Sequence, residues 1–100
     1  METEGLSTFQ ANRTNLEAMA STVPEGGFSF QGDGRVLSAM ALILLDESEC
    51  IADKRERKGY IANSLIVYGF HFGWNLTDNQ KKMLYSFAHL AVEWPQLLVR

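Results

Sequence analysis

One hundred residues with 46% hydrophobic and 21% charged side chains predict one globular domain, 1–100, around one modest core, and argue against disorder. A net charge of −3 supplies no long-range field toward phosphate backbones, so nucleic-acid binding would need a local basic patch working against the average. The single cysteine, Cys50, excludes an intrachain disulfide and favours a reducing cytoplasm, and the acidic, polar start METEGLSTFQ lacks the basic and apolar regions of a signal peptide.

Ser7 with Gln10 three residues later has the spacing of a capping box, and Phe9, Leu16, Met19 and Val23 recur at helical intervals. The spacing predicts a first helix over about 8–22, stopped by Pro24. Residues 24–34, PEGGFSFQGDG, hold four glycines and predict a loop. Within it Phe28-Ser29-Phe30 alternates with period two, as a short strand would. A second helix is expected from residue 35, with Asp33 as its cap. Val36 to Leu45 is apolar on nearly every side, which marks a central helix, but at about ten residues it is half a membrane span.

At Asp46 the composition turns to DESECIADKRERKG, acids first and bases last. That order suits one helix dipole, so the second helix is extended over 35–58, with a break near 46 left open and Gly59 as a left-handed cap. Tyr60 to Val67 fits helix by its Ile61–Leu65–Tyr68 spacing and strand by its β-branched density. Residues 68–74, YGFHFGW, place an aromatic at every second position. Read as extended, Tyr68, Phe70, Phe72 and Trp74 share one face, which packs against the helices, the favoured reading, or against another molecule, with Phe28-Ser29-Phe30 as a partner for a two-stranded element. The final helix, 78–94, opens on a Thr77–Gln80 capping box and ends at Pro95, leaving the apolar tail QLLVR.

The aromatic stretch is similar to the Gly-aromatic-x-aromatic signature of RNA-recognition and cold-shock domains, whose aromatics stack on bases. It departs from that signature at Tyr68, where the family has a basic residue, and at Gly73, where it has a β-branched one. Helical signals also occupy the places of the remaining strands. His71 and His89 stand apart from any metal-binding spacing, and Cys50 has no histidine base beside it in sequence. The glycines of 26–34 lack the Lys-Ser/Thr of a phosphate loop. The run Lys54-Arg55-Glu56-Arg57-Lys58 reads as a solvated helix end.

Together these readings predict a mainly α fold, three to four helices around the central apolar helix with a short extended aromatic segment. No catalytic, cofactor or metal site is expected. The expected activity is that of a small cytoplasmic adaptor, inhibitor or regulatory subunit, acting by contact with another protein or by self-association and without a membrane. Phe70, Phe72 and Trp74 are the expected anchors, followed by Leu97, Leu98 and Val99. The alternative is a nucleic-acid-associated regulator using 54–58 and 68–74.

Overall fold

The computed structural model describes residues 2–24, 26 and 30–98, with residues 2–9, 30 and 31 described as backbone only. Four helices follow one another: α1 (Glu2–Ser21), α2 (Phe30–Glu47), α3 (Lys54–His71) and α4 (Asp78–Glu93). Short 3-10 turns cover Ser48–Cys50 and Pro95–Leu97. Among the described residues there is no strand.

All four helices contribute to one core. Leu16 and Ala20 come from α1, and Leu37, Met40, Ala41 and Leu44 from α2. Ile61, Ala62, Leu65 and Tyr68 come from α3, and Leu84, Phe87, Ala88 and Ala91 from α4. The alanines let backbones approach closely while the larger side chains interdigitate. α3 and α4 form the most extensive pair, and α2 touches each of the other three helices. The expected central role of the apolar helix is thus observed, with the buried stripe 37–40–41–44 at helical spacing.

Several expected boundaries are corrected. The helical backbone of α1 begins at Glu2, so Ser7 and Gln10 lie inside the helix and not at its cap. α2 begins at Phe30, inside the expected 24–34 loop, so Asp33 occupies the first turn, where its charge suits the dipole, and does not stand before the helix as its N-cap. The partner strand Phe28-Ser29-Phe30 is not available as such: Phe30 is helical, and Phe28 and Ser29 lie outside the described residues.

The long helix expected over 35–58 is two helices. α2 ends at Glu47, and Asp53 starts α3 as an N-cap, its Oδ1 accepting from Arg55 N at 2.8 Å and Glu56 N at 3.4 Å. The basic run is therefore a first turn, and Gly59 lies within the helix. Its position against the dipole is offset by tertiary partners. Lys58 pairs with Glu93 at 2.8 Å and Lys54 with the same carboxylate at 3.8 Å, at the C-terminal end of α4. Arg57 grips the connector, donating from Nε and Nη2 to Ile51 O at 3.1 and 2.7 Å. A Cβ on Gly59 would meet open space. Gly59→Ala is therefore expected to stabilise the fold by about 0.5–1 kcal/mol, read as a melting point raised by a few degrees.

Residues 60–67 are helical, and so is the first half of the aromatic stretch. Phe72 caps α3, its N–H donating to Tyr68 O at 2.9 Å, and Gly73 takes the left-handed conformation, φ 73°. Trp74 N then returns to Gly69 O at 2.9 Å, the six-to-one bond of a Schellman motif. The alternation of YGFHFGW thus marks a helix end, and its four aromatics do not share an extended face. The Thr77–Gln80 capping box is present as expected, with Gln80 N donating to Thr77 Oγ1 at 3.2 Å and Thr77 N to Gln80 Oε1 at 3.4 Å.

Candidate functional site

The helix end that replaces the expected strand sends its aromatics in different directions. Trp74 turns inward and has no exposed surface. Its indole Nε1–H donates at 3.1 Å to Ala20 O, one of the last carbonyls of α1, which also accepts from Val23 N at 3.2 Å. A side chain so placed is a core pillar, which takes the packing side of the two readings of this stretch and removes Trp74 from the expected contact anchors. Phe72 is half-buried, packed against the core, with the His71 ring edge-on at a centroid distance of 5.1 Å.

Phe70 points outward with 80% of its surface exposed, and Val67, one turn earlier, is 65% exposed. Apolar side chains this open on a well-packed helix are the feature of the surface that core packing leaves unexplained. Tyr85 of α4 borders the same face, its hydroxyl 3.5 Å from Asn63 Oδ1. Tyr60, Asn63, Val67 and Phe70 follow one another at intervals of three, four and three residues, which puts them along one seam of α3. Sequence reasoning missed Val67, Tyr60 and Tyr85. Extending the Ile61–Leu65–Tyr68 helical spacing through Phe70 would have exposed the complementary outer seam.

Beside the seam lies a groove of about 470 Å³ between α1 and α3, within the size range of ligand pockets. It exists because α1 rests chiefly on α2 and only lightly on α3. Arg13 and Glu17 form the α1 side, and Tyr60, Ser64, Val67 and His71 the α3 side. Arg13 Nη1 donates to the Tyr68 hydroxyl at 2.8 Å, bracing the two walls. This bond, helped by the more distant Glu47 carboxylate and opposed by burial, raises the Arg13 pKa above its already high value.

Behind the groove, Tyr60 donates from its hydroxyl to Glu47 Oε1 at 3.4 Å, and the buried Glu47 Oε2 has no hydrogen-bond partner among the described residues. Burial first, and then the Glu47 charge, hold the Tyr60 phenol above its ordinary value of 10. The folded-state pKa exceeds the unfolded one, so this contribution to stability is complete below about pH 10 and is lost as the pH rises through the folded value. Alkaline unfolding followed by circular dichroism is therefore expected to be less steep in Tyr60→Phe than in the parent protein.

No protein-family model, curated protein or solved structure matches the chain.

The remaining expected residues are placed plainly. Leu97 is exposed, Leu98 packs partly against the core, and Val99 lies outside the described residues. The exposed Trp94 receives the His89 ring edge-on at 6.0 Å, near Leu97 in the chain. Cys50 is exposed and donates weakly to Glu47 O at 4.0 Å. Among the described residues no three of His, Cys, Asp and Glu come together as metal ligands, and no helix is long and apolar enough to cross a membrane.

Proposed function

We propose that the protein is a small non-enzymatic adaptor, inhibitor or regulatory subunit that works by stoichiometric protein–protein contact through the outer face of α3. The observation that carries this reading is the pair Val67 and Phe70, the most exposed large apolar side chains of the described surface, one turn apart on a helix anchored from behind. Exposed aromatics on a rigid element lose little conformational freedom on binding and commonly act as interface anchors. Tyr85 extends the patch, and Leu97 with Trp94 forms a second, smaller one at the other end of α4. The nucleic-acid alternative has less to stand on, because the aromatic strip is not extended and Lys54, Arg57 and Lys58 already have protein partners.

Phe70→Asp is expected to leave the helical circular dichroism spectrum unchanged, since the side chain carries no core contact of weight, and to remove the partner. Affinity capture from the native host, comparing the parent protein with Phe70→Asp and followed by titration of the recovered partner, reads this out. A partner retained at fixed stoichiometry by the parent and released by the variant supports the proposal; equal retention by both sinks it.

A further inference from the structure

Phe70 borders a second hollow, which shares no lining residue with the α1–α3 groove. About 310 Å³ in volume, it lies where α3 passes into α4 and is lined by Gly69, Phe70, Gly73, Asn75, Leu76 and Lys81. That is the low end of ligand-pocket sizes and suits one large apolar side chain better than a cofactor. The two glycines bring no side chain, so its apolar walls are the Phe70 ring and Leu76. Its frame is held by backbone bonds, Trp74 N to Gly69 O at 2.9 Å and Gly26 N to Gly73 O at 3.1 Å. A hollow formed in advance costs an incoming side chain little reorganisation.

Charge sets the chemistry of the occupant. Residues 59–92 hold one acid, Asp78, and two bases, Lys81 and Lys82, in a chain of net charge −3. Lys54 and Lys58 are paired with Glu93, whereas neither Lys81 nor Lys82 has an ion-pair partner among the described residues. Both stand one turn before Tyr85 on α4, so two unpaired cations border the apolar face of Val67, Phe70 and Tyr85.

Area sets its size. The three side chains expose on the order of 400 Å² between them, about half of the roughly 800 Å² that each partner buries in a standard interface. A second copy docked by a two-fold axis would also bring Lys81 and Lys82 against their own like charges. A short segment meets neither obstacle: one side chain fills the hollow and its neighbours supply carboxylates.

We infer that the hollow between α3 and α4 docks a short acidic segment of a partner protein, with one large apolar side chain against Phe70 and Leu76 and flanking carboxylates on Lys81 and Lys82. This rests on the reading of the outer face of α3 as a contact face and names the chemistry of the partner.

Fluorescence-anisotropy titration of the full chain tests it with labelled peptides of about twelve residues, three helical turns. One carries leucines at helical spacing among glutamates; its twins replace the glutamates by lysines or the leucines by serines. At about 50 mM salt the first is expected to bind about tenfold more tightly than either twin, and to lose most of that margin over the lysine twin at about 500 mM. Lys81→Glu with Lys82→Glu is expected to weaken it about tenfold or more, as is Phe70→Asp, with unchanged circular dichroism. Equal affinity for the glutamate and lysine peptides overturns the inference, as does indifference to the double reversal or no binding at about 1 mM peptide. Tighter binding of a single-stranded oligonucleotide overturns it in favour of nucleic acid, and a Phe70-dependent dimer in sedimentation overturns it in favour of a second copy. In capture from the native host, a partner released by Phe70→Asp but retained by the double reversal would leave the contact-face reading standing and remove only its acidic chemistry.

Discussion

Replacing Trp74 with alanine is expected to cost about 3–5 kcal/mol, the range for deleting a fully buried large aromatic. The side chain has no exposed surface and is among the largest wholly enclosed groups of the core. Its loss opens a cavity between the end of α3 and the end of α1, and it leaves Ala20 O with Val23 N at 3.2 Å in place of two donors, the indole N–H at 3.1 Å being the other. For a chain of 100 residues such a cost lowers the melting point by about 12–40 °C, enough to leave many small domains unfolded at ordinary temperatures. Thermal and urea unfolding followed by circular dichroism measure it directly. A Trp74→Ala variant that melts within a few degrees of the parent would contradict the pillar role. The contrast with Phe70→Asp is the sharper test, because two aromatics four residues apart are expected to affect different properties: one the fold, the other the contact.

Gly69→Ala sets two effects against each other. Glycine inside a helix is about 1 kcal/mol worse than alanine, so propensity alone favours the substitution. The new Cβ, however, would sit 2.7 Å from Trp74 Cε3 and 2.9 Å from Leu76 Cδ1. Leu76 can swing its terminal methyl aside. The indole cannot move without giving up the Ala20 hydrogen bond and the six-to-one turn that ties Trp74 N to Gly69 O. Overpacking of this kind costs about 1–3 kcal/mol, so against the propensity gain the net is a loss of up to about 2 kcal/mol. Gly59→Ala, on the same helix with open space around it, is expected to change stability in the opposite direction. Urea unfolding of the pair separates steric contact from helix propensity; equal signs would remove the proposed clash.

The parts of the fold that were legible in the sequence are those whose signal is local. The Thr77–Gln80 box, the apolar stripe of α2 and the stop at Pro95 depend on neighbours a few residues away, and all three are present where expected. The breakdown came where local rules favour one reading and distant partners favour another. Acids followed by bases between Asp46 and Lys58 look like one helix aligned with its own dipole. A dipole effect is worth a few tenths of a kcal/mol to about 1 kcal/mol. It is outweighed when Glu93 from α4 receives Lys54 and Lys58, and Asp53 caps a new helix between them. The aromatic stretch failed for a related reason. A period of two over seven residues is equally well made by the last turn of a helix, its glycine and the residue that folds back, so the pattern alone leaves Trp74 between core and contact surface.

By itself the sequence determined the class of the molecule: a helical chain with one core, an apolar second helix and a final helix with written boundaries. Those features follow from periodicity, capping and composition, each of which acts within a few residues. The tertiary structure decided which aromatic is pillar and which is surface. That depends on the direction in which one glycine turns the chain after α3, and on whether a carbonyl at the end of α1 stands there to receive the indole. Of YGFHFGW, Phe70 alone is left facing solvent with most of its ring, because packing consumed Trp74 and half of Phe72 and could not reach the far side of the helix.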